Sequence, residues 1–307
     1  MRQSVISKIV TSALCMVYHS KYEKSATRSN ALANKSNNKK SHFYPIGFRT
    51  ERVKCGECYL EKITPNRNAS KKVIFHIHGG SFKVKLTDFY RRESVYYSRL
   101  FNNATVYNVD YRVYPDVRFP IPLDDVYNCY LSVIKNENAN DIVVIGDSCG
   151  ANMAVSLCMK LRDTAKPLPN SVVLFSFWGD LSNSGWSYKE NCYRDPFYGI
   201  PKRVLYEEAK DKIHRITLYA QGEDLYNPYL SPCFGSFANF PRTILVSGSA
   251  DLSQSDSFTA YEKLKSEDVE TYLFDYENMF HDFQMLRLLP ESRNVFKRIK
   301  KLFSDCR

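Results

Sequence analysis

The stretch Ile142-Val143-Val144-Ile145-Gly146-Asp147-Ser148-Cys149-Gly150 decides the reading of this chain. Four consecutive apolar, β-branched residues predict a strand covered on both faces, since a half-exposed strand would alternate. The next five spell Gly-x-Ser-x-Gly, and a helical run over Ser148–Leu161 follows directly. A chain turning this sharply from strand to helix strains the central serine and needs small residues beside it. The hydroxyl of Ser148 is then exposed above the sheet, over a helix N-terminus that favours developing negative charge. In that context Ser148 is expected to be a nucleophile.

Other strands are expected on either side of this one. Short apolar or β-branched runs occur at Val73–Ile77, Thr105–Val109, Val172–Phe177, Thr243–Val246 and Thr271–Phe274. Helical stretches lie between most of them, at Phe89–Phe101, Leu123–Ile134 and Ser257–Leu264. Strands alternating with helices predict an α/β architecture with a mostly parallel central sheet and helices on both faces. From Asp180 to Pro232 no strand is predicted, and Trp, Tyr, Asn and Gly abound, with a helix near Lys202–Lys210. A segment of that length inside a compact domain is expected to be functional. The reading is an inserted cap over 180–230, between core segments 51–179 and 231–307. Residues 1–50 are assigned to an N-terminal helix and polar flap belonging to the cap. Ile6, Ile9, Val10, Leu14 and Val17 recur at helical spacing, predicting an amphipathic helix that packs on the body. The Ser-, Asn- and Lys-rich stretch Lys21–Ser41 forms the flap.

Strand Val73–Ile77 runs into His78-Gly79-Gly80-Ser81-Phe82. Acyl transfer needs backbone N–H donors aimed at an oxyanion, and glycines leave them unobstructed. Gly79, Gly80 and Cys149 are therefore the expected oxyanion-hole residues. A serine nucleophile also needs a base and an orienting acid. Of six histidines, His76 and His78 fall in a strand and the glycine turn, His19 and His42 flank the N-terminal flap, and His214 lies in the cap segment. His281 alone follows the last predicted strand. Asp251 follows strand Thr243–Val246, at the sheet edge that Ser148 faces. Asp256 is a rival five residues on, within the next predicted helix. The order Ser148, Asp251, His281 is that of a strand-elbow hydrolase.

These residues resemble the hormone-sensitive-lipase-like branch of the α/β-hydrolases, which includes bacterial esterases and arylacetamide deacetylases. The similarity runs from about Lys72 to the C-terminus. It is carried by His78-Gly79-Gly80-Ser81-Phe82, Asp110-Tyr111-Arg112 leading to Pro115, Phe119-Pro120, and Gly146-Asp147-Ser148-Cys149-Gly150-Ala151-Asn152. Asn227-Pro228 before Ser231-Pro232, Asp251, and Phe280-His281-Asp282-Phe283 complete it. The resemblance implies the α/β-hydrolase fold with a helical cap, and a serine carboxylester hydrolase acting through an acyl-enzyme on short to medium acyl esters. Ser81, Cys149 and Ala151 depart from the residues usual there. Amide hydrolysis or deacetylation by the same triad is one alternative, and a non-catalytic small-ligand-binding protein on this fold another. Phe82, Trp186, Tyr198 and Tyr226 are candidate substrate contacts, although the aromatic residues of the cap could equally form its core.

Bulk properties narrow the partners. Among 307 residues, 43 Lys and Arg against 33 Asp and Glu give a net charge of +10. The basic residues are scattered apart from Lys35, Lys39, Lys40 and Lys297, Arg298, Lys300, Lys301, and no nucleic-acid-binding motif accompanies them. The expected partner is a small-molecule ester, not a nucleic acid, with transient contact to a lipid or membrane surface kept open. Nine cysteines without a regular framework suggest reduced thiols and a cytoplasmic location, while the weakly apolar stretch Val5–Tyr18 keeps secretion or membrane association open. The single Cys55-x-x-Cys58 lacks the second pair or histidine of a zinc site. No metal or organic cofactor is expected.

Overall fold

The computed structural model describes residues 1–20, 45–213 and 218–304. The flap over Lys21–Ser41, with His42, and the cap residue His214 lie outside them.

The run Ile142–Ile145 lies in a strand spanning Ile142–Asp147, β5, buried along its whole length. Its side chains alternate between two cores, with Ile142 and Val144 in one and Val143 and Ile145 in the other. That explains why the run is apolar throughout: each such fully buried side chain contributes roughly 1.5–3 kcal/mol. The other strands are β1 (Phe48–Cys55), β2 (Cys58–Pro65), β3 (Val73–Ile77), β4 (Thr105–Asp110), β6 (Ser171–Phe175), β7 (Arg242–Gly248) and β8 (Thr271–Tyr276). They form one sheet in the order β1-β2-β4-β3-β5-β6-β7-β8. From β4 to β8 all neighbours are parallel; β1 and β2 join antiparallel.

The sequence reading had no β1–β2 hairpin. Strand β1 lies at the sheet edge and is exposed or half-buried at every position but Cys55, so it has no buried face to impose alternation. The Cys55-x-x-Cys58 pair is its turn, with Cys55 opposite Cys58 and Gly56 at φ +61°. The eight cysteines among the described residues are free thiols.

Helices α3 (Ile121–Val133), α4 (Cys149–Asp163) and α7 (Gln254–Ser266) contribute to one core. Helices α2 (Asp88–Leu100) and α8 (Pro290–Ser304) contribute to the other. Between β6 and β7 lie the short α5 (Ser187–Glu190) and α6 (Tyr206–Ile213). Tyr188, Cys192, Ile200 and Ala209 form a small core there with Leu252. Tyr219, Ala220 and Leu230, by contrast, are buried in the main core, so the proposed 180–230 segment is only partly separate from the body.

Helix α1 (Val5–His19) packs against α8, with Val10 and Leu14 against the core and Ser7 buried beside Glu291. Ile6, Ile9 and Val17 do not pack on the body as expected. They are 51%, 65% and 48% exposed, because the hydroxyl of Ser7 rather than the apolar stripe is held by Glu291.

Candidate active site

Ser148 stands between β5 and α4 at φ 52°, ψ −121°, a left-handed conformation costing about 1–3 kcal/mol. Its N–H donates to Phe175 O at 2.9 Å, and its own carbonyl accepts from Asn152 N at 3.1 Å, which hold the turn in place. The flanking glycines allow close chain approach: a Cβ on Gly146 would stand 2.5 Å from Gly150 O, and one on Gly150 2.1 Å from Ile77 O.

Two loops bring the candidate acid and the candidate base to the same sheet edge. Asp251 follows β7, and His281 follows β8; Gly248 lets them touch, since a Cβ there would stand 2.2 Å from Met279 O. His281 Nδ1 lies 2.9 Å from Asp251 Oδ1, and both side chains are buried. Ser253 donates to the same Oδ1 from its N–H at 2.8 Å and from its hydroxyl at 2.9 Å. Asp256 instead accepts Gly179 N–H, Asp180 N–H and Tyr188 Oη, away from any histidine. His281 Nε2 is buried and makes no hydrogen bond among the described residues, so none joins it to Ser148 Oγ; Asp282 Oδ2 lies 3.5 Å from it.

Burial pushes the His281 imidazole down, but the carboxylates of Asp251, Asp282 and Asp195 outweigh it and raise its pKa to about 10. Burial pushes His76 to about 3 and His78 to about 4, keeping both neutral. His76 Nδ1 pairs with Asn108 Oδ1 at 2.9 Å, and His78 stacks on Tyr111, whose hydroxyl donates to His78 O at 2.8 Å. Tyr111 thus supports the glycine turn, and Arg112 forks onto Asp125 beside it, at 3.0 and 2.7 Å.

The glycine turn differs from expectation at one residue. The N–H of Gly79 donates to Asp147 Oδ1 at 3.0 Å, so it is not free to serve an oxyanion. A Cβ on Gly79 would stand 2.1 Å from Asp147 Oδ2, so a glycine is required there because the acid preceding Ser148 fills the space. The N–H groups of Gly80 and Cys149 make no hydrogen bond among the described residues. Gly80, Ser81 and Phe82 have φ of 113°, 54° and 59°, a run of left-handed residues that curls the loop. The thiol of Cys149 accepts Phe82 N–H at 3.3 Å and points into the core.

Of the four candidate substrate contacts, Tyr198 alone is brought to the triad. Its ring stands edge-on to His281 at 4.8 Å, with its hydroxyl 3.5 Å from Ser81 Oγ. Phe82 is fully buried, stacked on Tyr219 at 3.8 Å. Trp186 packs on Phe258 and Tyr226 on Phe234, and neither shares a ring contact or hydrogen bond with Ser148, Asp251 or His281. The motif logic of nucleophile, acid and base contained no signal for Asp195, which follows no strand. Its Oδ1 accepts the N–H of Phe197 at 2.8 Å and of Tyr198 at 3.1 Å, and its Oδ2 accepts Leu252 N–H at 3.3 Å. Asp195, Asp251 and His281 offer ligand atoms within 4.8 Å of one another. Asp251 Oδ1 and both oxygens of Asp195 already accept hydrogen bonds, while Asp251 Oδ2 accepts none among the described residues.

A family model described as alpha/beta hydrolase fold matches residues 74–285, more than half the chain, from within β3 to beyond His281. The chain belongs to the α/β-hydrolase fold family. Among curated relatives, an esterase of Acinetobacter venetianus is 28% identical over 249 residues, covering 78% of this chain and 76% of that protein. An acetyl-hydrolase of Streptomyces hygroscopicus is 26% identical over 249 residues, covering 80% and 79%. Among solved structures, an esterase/lipase from an uncultured bacterium superposes with a TM-score of 0.78 at 21% identity, over 90% of each chain. Esterase E25 superposes with a TM-score of 0.72 at 26% identity, over 94% of this chain and 84% of that one.

Proposed function

We propose that this α/β-hydrolase is a serine carboxylester hydrolase in which Ser148, His281 and Asp251 form the triad. The observation that carries the reading is the Asp251–His281 pair at 2.9 Å on the sheet edge where the strained Ser148 elbow stands. Relatives named esterase and acetyl-hydrolase over three-quarters of the chain support the same substrate class. A small-molecule ester is the substrate, with an acetyl or other short to medium acyl group.

In the reaction, His281 Nε2 takes the proton of Ser148 Oγ as the oxygen attacks the ester carbonyl. Contacts of this kind are often long without substrate and tighten when it binds. The tetrahedral oxyanion accepts the N–H groups of Gly80 and Cys149, while Gly79 holds Asp147 and thereby the loop. Asp251 fixes the imidazole tautomer and stabilises the imidazolium, which returns the proton to the leaving alcohol. Water then attacks the acyl-enzyme by the same steps, releasing the acid and regenerating Ser148. The segment from Asp180 to Leu230 acts as a cap, with Tyr198 against the base. Free thiols throughout the described residues suit a reducing, cytoplasmic setting.

A fluorophosphonate tests the assignment, because Ser148 Oγ displaces fluoride at phosphorus and leaves a stable adduct. Peptide mapping is expected to place the adduct on Ser148. An adduct elsewhere, or none on folded protein, would overturn it.

A further inference from the structure

Helix α1 carries an apolar face that no other described residue covers. At 3.6 residues per turn, Val5, Met16, Ile9, Ala13, Ile6 and Val17 fall in one arc of about 120°. All six are exposed, Val5 by 71% and Met16 by 73%. Outside this arc the helix is anchored through Ser7 on Glu291, Val10 and Leu14 on the core, and the His19 ring on Asp195 O at 3.0 Å. The exposed arc is therefore not a consequence of a loosely attached helix.

The charged side chains of the helix segment itself have one sign. The first 20 residues hold Arg2 and Lys8 and no acid. Along the helix runs a groove of about 690 Å³, whose lining among the described residues includes Lys8, His19, Arg194 and Lys202 and no carboxylate. The chain as a whole carries +10. A second protein copy would bring its own basic residues to this groove, whereas phosphate headgroups would complement it while acyl chains received the apolar arc.

We infer that α1 docks in the plane of an anionic phospholipid surface, with its Val5–Val17 arc among the acyl chains and the Lys8–Arg194–Lys202 groove on the headgroups. The helix lies in the surface rather than across it; among the described residues no helix is long and apolar enough to cross a membrane. Docking places the lipid close to the site. The Tyr18 ring meets Phe197 at 4.9 Å, and Phe197 meets Phe280, the residue before His281, at 5.6 Å. On the esterase reading, this would deliver lipid-dissolved esters to the triad.

The test is cosedimentation of the full chain carrying Ser148→Ala with vesicles of phosphatidylcholine alone and with phosphatidylserine added, so that the outcome is independent of any hydrolysis. Binding is expected to the mixed vesicles and to be at least tenfold weaker on phosphatidylcholine alone. Ile9→Glu with Met16→Glu should abolish it. Lys8→Glu with Lys202→Glu should weaken it more than tenfold, since each basic residue near the surface accounts for roughly a fivefold effect. Circular dichroism of each variant verifies folding, because exposed positions tolerate the change. No binding to either vesicle, or binding unaffected by both pairs, would overturn the proposal. So would a dimer in analytical ultracentrifugation that Ile9→Glu with Met16→Glu dissociates, since that assigns the face to a second copy.

Discussion

The Oδ2 of Asp195 accepts the backbone N–H of His281 at 3.4 Å across 86 residues of sequence, so the inserted segment holds the loop of the candidate base. Its other oxygen orders Phe197 and Tyr198, and the Tyr198 ring stands against His281. Asp195 therefore fixes both the base and one wall beside it, as a positioning residue. Asp195→Asn is expected to lower kcat by about 10²-fold, the scale of a small misplacement of reacting groups, with KM near that of the wild type. Because Asp195 also raises the His281 pKa, the acid limb of the pH profile should move to lower pH. Loss of melting temperature with an unchanged profile would assign Asp195 a purely structural role.

The pH dependence follows from the carboxylates around His281. With its pKa raised to about 10, the imidazole is charged at neutral pH and becomes a competent base as pH rises. Activity is therefore expected to increase from neutrality into the alkaline range. Asp282, 3.5 Å from Nε2, is the second carboxylate contributing to this shift. Asp282→Asn should move the rising limb of kcat/KM to lower pH in a profile from about pH 5 to 11. Asp251→Asn should reduce kcat by about 10⁴-fold near neutral pH, since it presents the wrong tautomer, and should also move the limb to lower pH, because Asp251 is the largest of the carboxylate contributions. A limb that stays in place in Asp282→Asn would refute the electrostatic account. Stability has the opposite sign: the ion pairs of protonated His281 contribute below about pH 6.5 and are lost as pH rises through about 10.

Cys149 adjoins Ser148 and could be mistaken for the nucleophile. Burial pushes its thiol up to about 12, and the sulfur accepts a backbone N–H inside the core. Iodoacetamide at neutral pH is expected to leave activity intact, and Cys149→Ala to retain most of kcat, because the proposed mechanism uses only the backbone N–H. Inactivation by alkylation that Cys149→Ala prevents would require a thiol mechanism.

The elbow itself can be tested through stability. In Gly150→Ala the new Cβ would stand 2.1 Å from Ile77 O, a backbone atom of a central strand that cannot yield. Destabilisation of about 3 kcal/mol is expected, at the upper end for overpacking, and is read from chemical denaturation. A loss below about 0.5 kcal/mol would mean that α4 does not sit against β3 this closely.

The sheet interior was legible because its residues answer to simple rules. Strand β5 is buried on both faces and so has no polar residue before the elbow, and Gly146 and Gly150 are dictated by contacts under 3 Å. Asp251 and His281 become candidates from the strands they follow, with the other histidines and Asp256 set aside by their positions, and the fold brings the two side chains within 2.9 Å. Strand β1 was not legible, because an edge strand exposed on both faces carries no hydrophobic period. The face of α1 was misjudged for a related reason: periodicity reveals an apolar stripe but not what covers it, and Ser7 takes the buried position. Gly79 shows a further limit. Its backbone N–H is claimed by Asp147, a partner 68 residues away that no motif specifies. Asp195 shares that difficulty, since its role rests on backbone contacts formed only in the fold.

The most direct test of the central claim is hydrolysis of a series of chromogenic p-nitrophenyl acyl esters by the wild type and Ser148→Ala side by side. Ester hydrolysis by the wild type, with an optimum among the shorter chains, and its loss in a folded Ser148→Ala protein are predicted. Equal rates in the two proteins, or no hydrolysis of any ester by folded wild type, would contradict the assignment of this chain as a serine carboxylester hydrolase.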